Sequence, residues 1–186
     1  GMVSMTLATI LSLIVCVFLI ISNRLPVLIY SLAVFGYYLF IAISIFTGIK
    51  LTVLVAALNV PLAIYCLTNY QTKFQSAGVS RFLFVWILFL VLFSFNVLIG
   101  PQSEYSLLVW QYLIVWGNFY VLSGVVVAKS NVSIREVLPL GAAWFSFLYP
   151  LIDATLFKVS LISDETIGLR GREGLDAIST ARLAGF

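Results

Sequence analysis

Residues 82–103 read FLFVWILFLVLFSFNVLIGPQS, 22 consecutive positions without one ionisable side chain. A helix rises about 1.5 Å per residue and needs roughly 20 apolar residues to cross a hydrocarbon core of about 30 Å, so this stretch reads as a membrane-spanning helix. Working outward, the same pattern recurs: residues 1–23, 25–49, 51–72 and 105–128 are also uncharged, with lengths of 23, 25, 22 and 24. A sixth apolar stretch, 137–152, resumes after Asp153 through Leu156 and Phe157 as far as Lys158. Charges punctuate the chain because an ionised group at mid-bilayer costs several kcal/mol and is normally placed at helix ends.

The composition agrees. The chain has 186 residues, 62% hydrophobic and 9% charged, with a mean hydropathy of +1.14. A soluble domain is about a quarter charged because its surface faces water, and 17 ionisable residues are too few for that. The apolar runs exclude a disordered chain, and they lack the alternation of an outer-membrane barrel. The expected fold class is therefore all-α, a polytopic integral membrane protein with about six transmembrane helices near 3–22, 26–47, 51–70, 82–100, 106–128 and 137–157. Residues 1–158 form the expected six-span region, and residues 159–186 a polar segment leading toward a further helix beyond Phe186.

The links between spans are short. Ser22-Asn23-Arg24-Leu25-Pro26 and Gly48-Ile49-Lys50 are tight breaks, and Pro26 suits the first turn of the next helix, where its missing N–H costs nothing. Gln71–Arg81 reads as a longer polar loop. The apolar run of the first segment is longer than that of a signal peptide and has no basic residues before it, so a true span is expected. The start at Gly1-Met2 and the end at Ala184-Gly185-Phe186 read as cuts, so the chain is expected to be a fragment.

The net charge of +3 and pI near 9.0 come from basic residues scattered singly between apolar runs, which make no nucleic-acid patch; no nucleic-acid partner is expected. They orient the chain instead. Arg24, Lys73, Arg81, Lys129 and Arg135 fall on one side, against Lys50 in the opposite inter-helix links, so the positive-inside rule puts the first side in the cytoplasm and the tail from Val159 outside. Cys16 and Cys66 lie inside apolar runs without metal-site or disulfide spacing and are expected to pack. The absence of histidine excludes a histidine triad or relay and most catalytic zinc or haem sites within these residues, and neither a metal nor a cofactor is expected.

Several polar residues fall at membrane depth. Asp153 is an acid beside hydrocarbon, which lines a path or snorkels to the interface and pairs with Lys158; Pro150 upstream can kink its helix. Asn59 precedes Pro61, a combination that can free a carbonyl beside an amide. Asn96, Gln111 and Asn118 read as interhelical glue, Gln111 and Asn118 sharing a face at their seven-residue spacing, while Gly117 and Gly124 permit close helix approach. Tyr105, Trp110, Tyr112 and Trp144 read as interfacial anchors. In the tail, Arg170-Gly171-Arg172-Glu173-Gly174 joins flexible backbone to guanidinium forks that grip phosphate bidentately, the alternative being a solvated loop.

Aromatic-rich spans followed by an arginine-bearing segment ending Ser179-Thr180-Ala181-Arg182-Leu183-Ala184-Gly185-Phe186 resemble the O-antigen ligase and O-antigen polymerase superfamily, in which an Arg-x-x-Gly-Phe-like string leads into a further helix. Arg182, Gly185 and Phe186 carry the match. The resemblance implies a metal-independent glycosyltransferase of a bacterial inner membrane, whose partner is a polyprenyl-diphosphate-linked glycan in the lipid bilayer and whose diphosphate-binding candidates are Arg170, Arg172 and Arg182. The later outer loop typical of the family is absent from these residues, so the fragment alone is expected to be inactive. Two other readings stay open: a transporter or permease fragment with Asn59, Pro61 and Asp153 lining its path, and a noncatalytic membrane scaffold.

Overall fold

A computed structural model describes residues 2–101 and 103–157. Every regular element among them is helical: α1 Met2–Ile21, α2 Leu25–Phe35, α3 Tyr37–Thr47, α4 Leu51–Asn69, α5 Ala77–Ile99, α6 Glu104–Tyr112, α7 Asn118–Ala128 and α8 Ile134–Phe157. A π-helical turn, Tyr70–Phe74, extends α4, and a second, Leu113–Gly117, joins α6 to α7. Four helical stretches are long and apolar enough to cross a membrane: Val3–Ile21, Leu51–Phe74, Ala77–Ile99 and Tyr105–Ala128. The pair α2–α3 makes a fifth if taken as one span, but it is bent by 82°. α8, which carries Arg135, Glu136 and two internal prolines, is not among these stretches within the described residues.

Local chemistry fixes the breaks. Asn23 (φ 58°) and Gly48 (φ 71°) adopt the left-handed conformation in the two tight links, and Pro26 lies in the first turn of α2 as its fixed φ dictates. The bend between α2 and α3 falls at Gly36, where a Cβ would lie 2.4 Å from the Leu32 carbonyl oxygen. Only glycine lets the chain fold that closely onto its preceding turn. The expected loop Gln71–Arg81 is mostly helical instead. Phe74 is buried with its ring 5.9 Å from that of Tyr65, Ser76 caps α5 by accepting from the Val79 N–H, and the Tyr70 and Ser80 hydroxyls meet at 2.5 Å.

The described helices fall into two compact units, α1–α3 with α8 and, separately, α4–α7. In the first unit, Val137, Gly141, Trp144, Leu148 and Ile152 form the buried stripe of α8, spaced by three or four residues as one helix face requires. Trp144, Leu148 and Ile152 meet Met5, Tyr38, Leu39, Ile41 and Ala42 in the core. Tyr38 sits edge-on to Phe145 and Tyr149, each with ring centroids 5.6 Å away, and a Cβ on Gly141 would lie 2.3 Å from the Phe35 ring. Trp144 is therefore not an interfacial anchor; its place in the stripe buries it to 2% exposure.

The second unit is held differently. α5 spans 23 residues, almost all apolar, yet none is buried; Phe84 and Phe95 are 68% and 63% exposed. An apolar surface of that extent needs lipid or protein against it.

Candidate functional site

In the second unit, side-chain hydrogen bonds between helices gather on and beside the π-helical turn Leu113–Gly117. Such a turn widens the helix and turns its carbonyls out of line with the regular ladder. Asn59, at mid-length in α4, donates from Nδ2 to the Val115 carbonyl at 2.8 Å. Its Oδ1 is buried without a hydrogen-bond partner. One helix further, Trp86 of α5 donates from Nε1 to Asn118 Oδ1 at 2.9 Å. Gly117 makes room for that indole, since a Cβ there would lie 2.8 and 2.9 Å from the Trp86 Cη2 and Cζ2 atoms. Trp110 of α6 donates to Ser94 Oγ of α5 at 2.8 Å, and the Cys66 thiol of α4 reaches the Leu122 carbonyl of α7 at 3.8 Å.

Each of these contacts joins α4 or α5 to the α6–α7 segment, the arrangement expected of polar glue between helices in an apolar solvent. The groups involved are amides, indoles, a hydroxyl and a thiol. They make no pair of acid and base and no activated nucleophile. Among the described residues no group of three or more His, Cys, Asp or Glu stands together as a metal site.

The sequence-derived candidates fare unequally. Asn118 is an interhelical acceptor, as its position at membrane depth predicted, but Gln111 is exposed and does not share its face. The π-helical turn between them is the reason: one extra residue in the turn rotates the helix beyond it by about 100° and cancels the seven-residue register. Asn96 is exposed. Gly117 makes the close approach predicted for it, whereas Gly124 has nothing within 4 Å of a Cβ and borders an open groove. Tyr105 and Tyr112 are exposed, while Trp110 is half-buried and bonded to Ser94.

Asn59 belongs to α4 of the second unit and Asp153 to the last turns of α8 in the first. The Asp153 side chain, and with it any pairing to Lys158, lies outside the described residues, as do Arg170, Arg172 and Arg182. Sequence reasoning passed over Trp86 and Ser94. A tryptophan in mid-span has an indole N–H that must find an acceptor, and that demand was the available signal. In the first unit Tyr38 OH and Trp144 Nε1 are buried without hydrogen-bond partners.

No protein-family model, curated protein or solved structure matches the chain.

Proposed function

We propose that α4–α7 form a rigid hydrophobic platform in a bacterial inner membrane and that the chemistry of the protein resides in the arginine-bearing segment 159–186, which grips the diphosphate of a polyprenyl-linked glycan on the outer face. The observation that carries this reading is the consumption of the mid-helix polar side chains. Asn59 Nδ2, Trp86, Ser94, Trp110 and Asn118 are engaged in helix-to-helix hydrogen bonds, and Arg170, Arg172 and Arg182 give the tail the densest run of guanidinium groups in the chain, the chemistry that grips a diphosphate. On this reading the chain is part of an O-antigen ligase-type or polymerase-type glycosyltransferase, as the Arg182–Phe186 string implies. An acceptor sugar hydroxyl attacks the anomeric carbon, the bond to the diphosphate oxygen breaks, the hydroxyl proton passes to the released diphosphate or to water, and Arg182, helped by Arg170 or Arg172, neutralises the departing anion without a metal.

The topology that delivers this segment to the outer face has six crossings, with α2–α3 counted as one bent span and α8 as the last. Charge supports the count. With α2–α3 crossing, lysine and arginine divide between the inter-helix links as five against one; were the pair to turn back, Lys50 would join Arg24 and the division would fall to four against two. The test is retention of a polyprenyl diphosphate by the full chain in membrane vesicles. Combined Arg170→Gln, Arg172→Gln and Arg182→Gln substitutions abolish it on this reading, whereas unchanged retention overturns it.

A transporter is the second reading, favoured by the buried, unpartnered Asn59 Oδ1, because an unpaired polar atom at membrane depth is costly unless a solute meets it. It requires solute-coupled ion or proton flux that disappears in Asn59→Leu and in Asp153→Asn.

A further inference from the structure

Within the second unit an apolar groove of about 440 Å³ runs between the first turns of α5 and the last turns of α7, bordered by Gly78, Val79, Phe82, Tyr120, Gly124 and Ala128. Gly78 and Gly124 keep it open, since a Cβ at either would meet nothing within 4 Å. The two helices run antiparallel along it, so Gly78 and Ala128 lie toward one end and Phe82 and Tyr120 toward the other. Basic residues adjoin the lining residues in the chain. Lys129 follows Ala128 directly, Arg81 stands in the first turns of α5, and the Tyr70–Ser80 hydroxyl contact ties the π-helical turn that carries Lys73 to the same turns. All three basic side chains are exposed. The one acidic residue of the unit, Glu104, stands beyond the far end of α5.

We infer that this groove is a binding site for an anionic phospholipid, with one acyl chain lying along Phe82, Tyr120 and Gly124 and the headgroup phosphate held between Arg81 and Lys129. The volume falls within the roughly 300–1,000 Å³ of ligand sites. Its wall, apolar apart from the Tyr120 hydroxyl, offers an acyl chain dispersion contacts. Specificity comes from the basic residues: Lys73, Arg81 and Lys129, in a unit whose one acid, Glu104, follows the other end of α5 in the chain, complement a net negative headgroup, and the long Arg81 and Lys129 side chains reach along the interface to it. A zwitterionic lipid brings its own cation to the same place and loses that advantage. The basic end is also the cytoplasmic end by the positive-inside rule, so the lipid belongs to the leaflet opposite the arginine segment. The inference rests on α4–α7 crossing a bilayer, and it does not depend on the glycan reading.

The experiment is co-purification from vesicles of equimolar phosphatidylglycerol and phosphatidylcholine, with lipids bound to the full chain counted by mass spectrometry. Phosphatidylglycerol is retained in preference. Arg81→Gln and Lys129→Gln each reduce that retention about fivefold, the equivalent of about 1 kcal/mol per basic residue near an anionic surface. Gly124→Leu, which fills the groove at a position with room for it, displaces the lipid without reducing helicity. Equal retention of both lipids, or phosphatidylglycerol at wild-type levels in all three variants, overturns the inference. A groove occupied by a second copy is also against it, and appears as a dimer that Gly124→Leu dissociates. Alkaline extraction of the same vesicles separates the two possible failures: a chain released by carbonate refutes the membrane crossing itself, whereas a retained chain with unchanged lipid binding refutes the site alone.

Discussion

Replacing Gly117 with leucine probes the contact on which the second unit turns. The new Cβ would arrive 2.8 Å from Trp86 Cη2 and 2.9 Å from Cζ2, closer than packed carbon atoms approach. The indole cannot swing aside freely, because its Nε1 is pinned to Oδ1 of the adjacent Asn118 at 2.9 Å. Overpacking costs roughly 1–3 kcal/mol, and losing an interhelical hydrogen bond in a membrane about 0.6 kcal/mol; the better helix former returns about 1 kcal/mol. The net loss is about 0.6–2.6 kcal/mol. Gly124→Leu on the same helical segment is the control, since its space is open and only the gain in helix propensity applies. Stability is read as loss of helical ellipticity during titration of the micellar protein with a denaturing detergent. Gly117→Leu unfolds earlier than wild type and Gly124→Leu no earlier. Adding Trp86→Leu to Gly117→Leu removes the collision, so the pair costs less than the sum of the two single changes. A Gly117→Leu protein as stable as Gly124→Leu, or strict additivity of the pair, refutes the contact.

The same geometry and the charge pattern set two further outcomes. A double-mutant cycle of Trp86→Phe with Asn118→Leu gives a coupling of about 0.6–1.7 kcal/mol, the range of hydrogen bonds between membrane helices, and a coupling near zero in the same detergent titration shows that the bond contributes nothing. In a Cys16→Ala and Cys66→Ala background, Arg24→Cys is labelled by an impermeant maleimide from the cytoplasmic face and Lys50→Cys from the outer face; labelling of both from one face makes the α2–α3 pair re-entrant.

What the sequence disclosed and what it hid have physical causes. Helix ends were legible because single charges, prolines and glycines mark them: Arg24 with Pro26, Gly48 with Lys50, and Lys129 all stand within a few residues of an observed boundary. The 82° bend at Gly36 was hidden, since a glycine in an apolar run serves close packing as readily as a bend, and the deciding fact is how near Leu32 lies. The π-helical turn Leu113–Gly117 was equally silent. Its effect reached furthest, by taking Gln111 off the face of Asn118 and by presenting the Val115 carbonyl to Asn59. Trp144 misled because a tryptophan near a span end usually anchors at the interface, whereas its spacing from Leu148 and Ile152 places it in the core. The arginine candidates and the Asp153 side chain lie outside the described residues, so for them the sequence remains the whole argument.

The central claim is that the helices hold the protein in the membrane while the tail holds the phosphate. Photo-crosslinking of a polyprenyl diphosphate probe to the full chain in membrane vesicles, with mapping of the modified peptides, tests it most directly. The account predicts adducts within residues 159–186 that disappear when Arg170, Arg172 and Arg182 are replaced by glutamine and persist in Asn59→Leu. Adducts that map to α4–α7 around Asn59, unchanged by loss of the three arginines, contradict it.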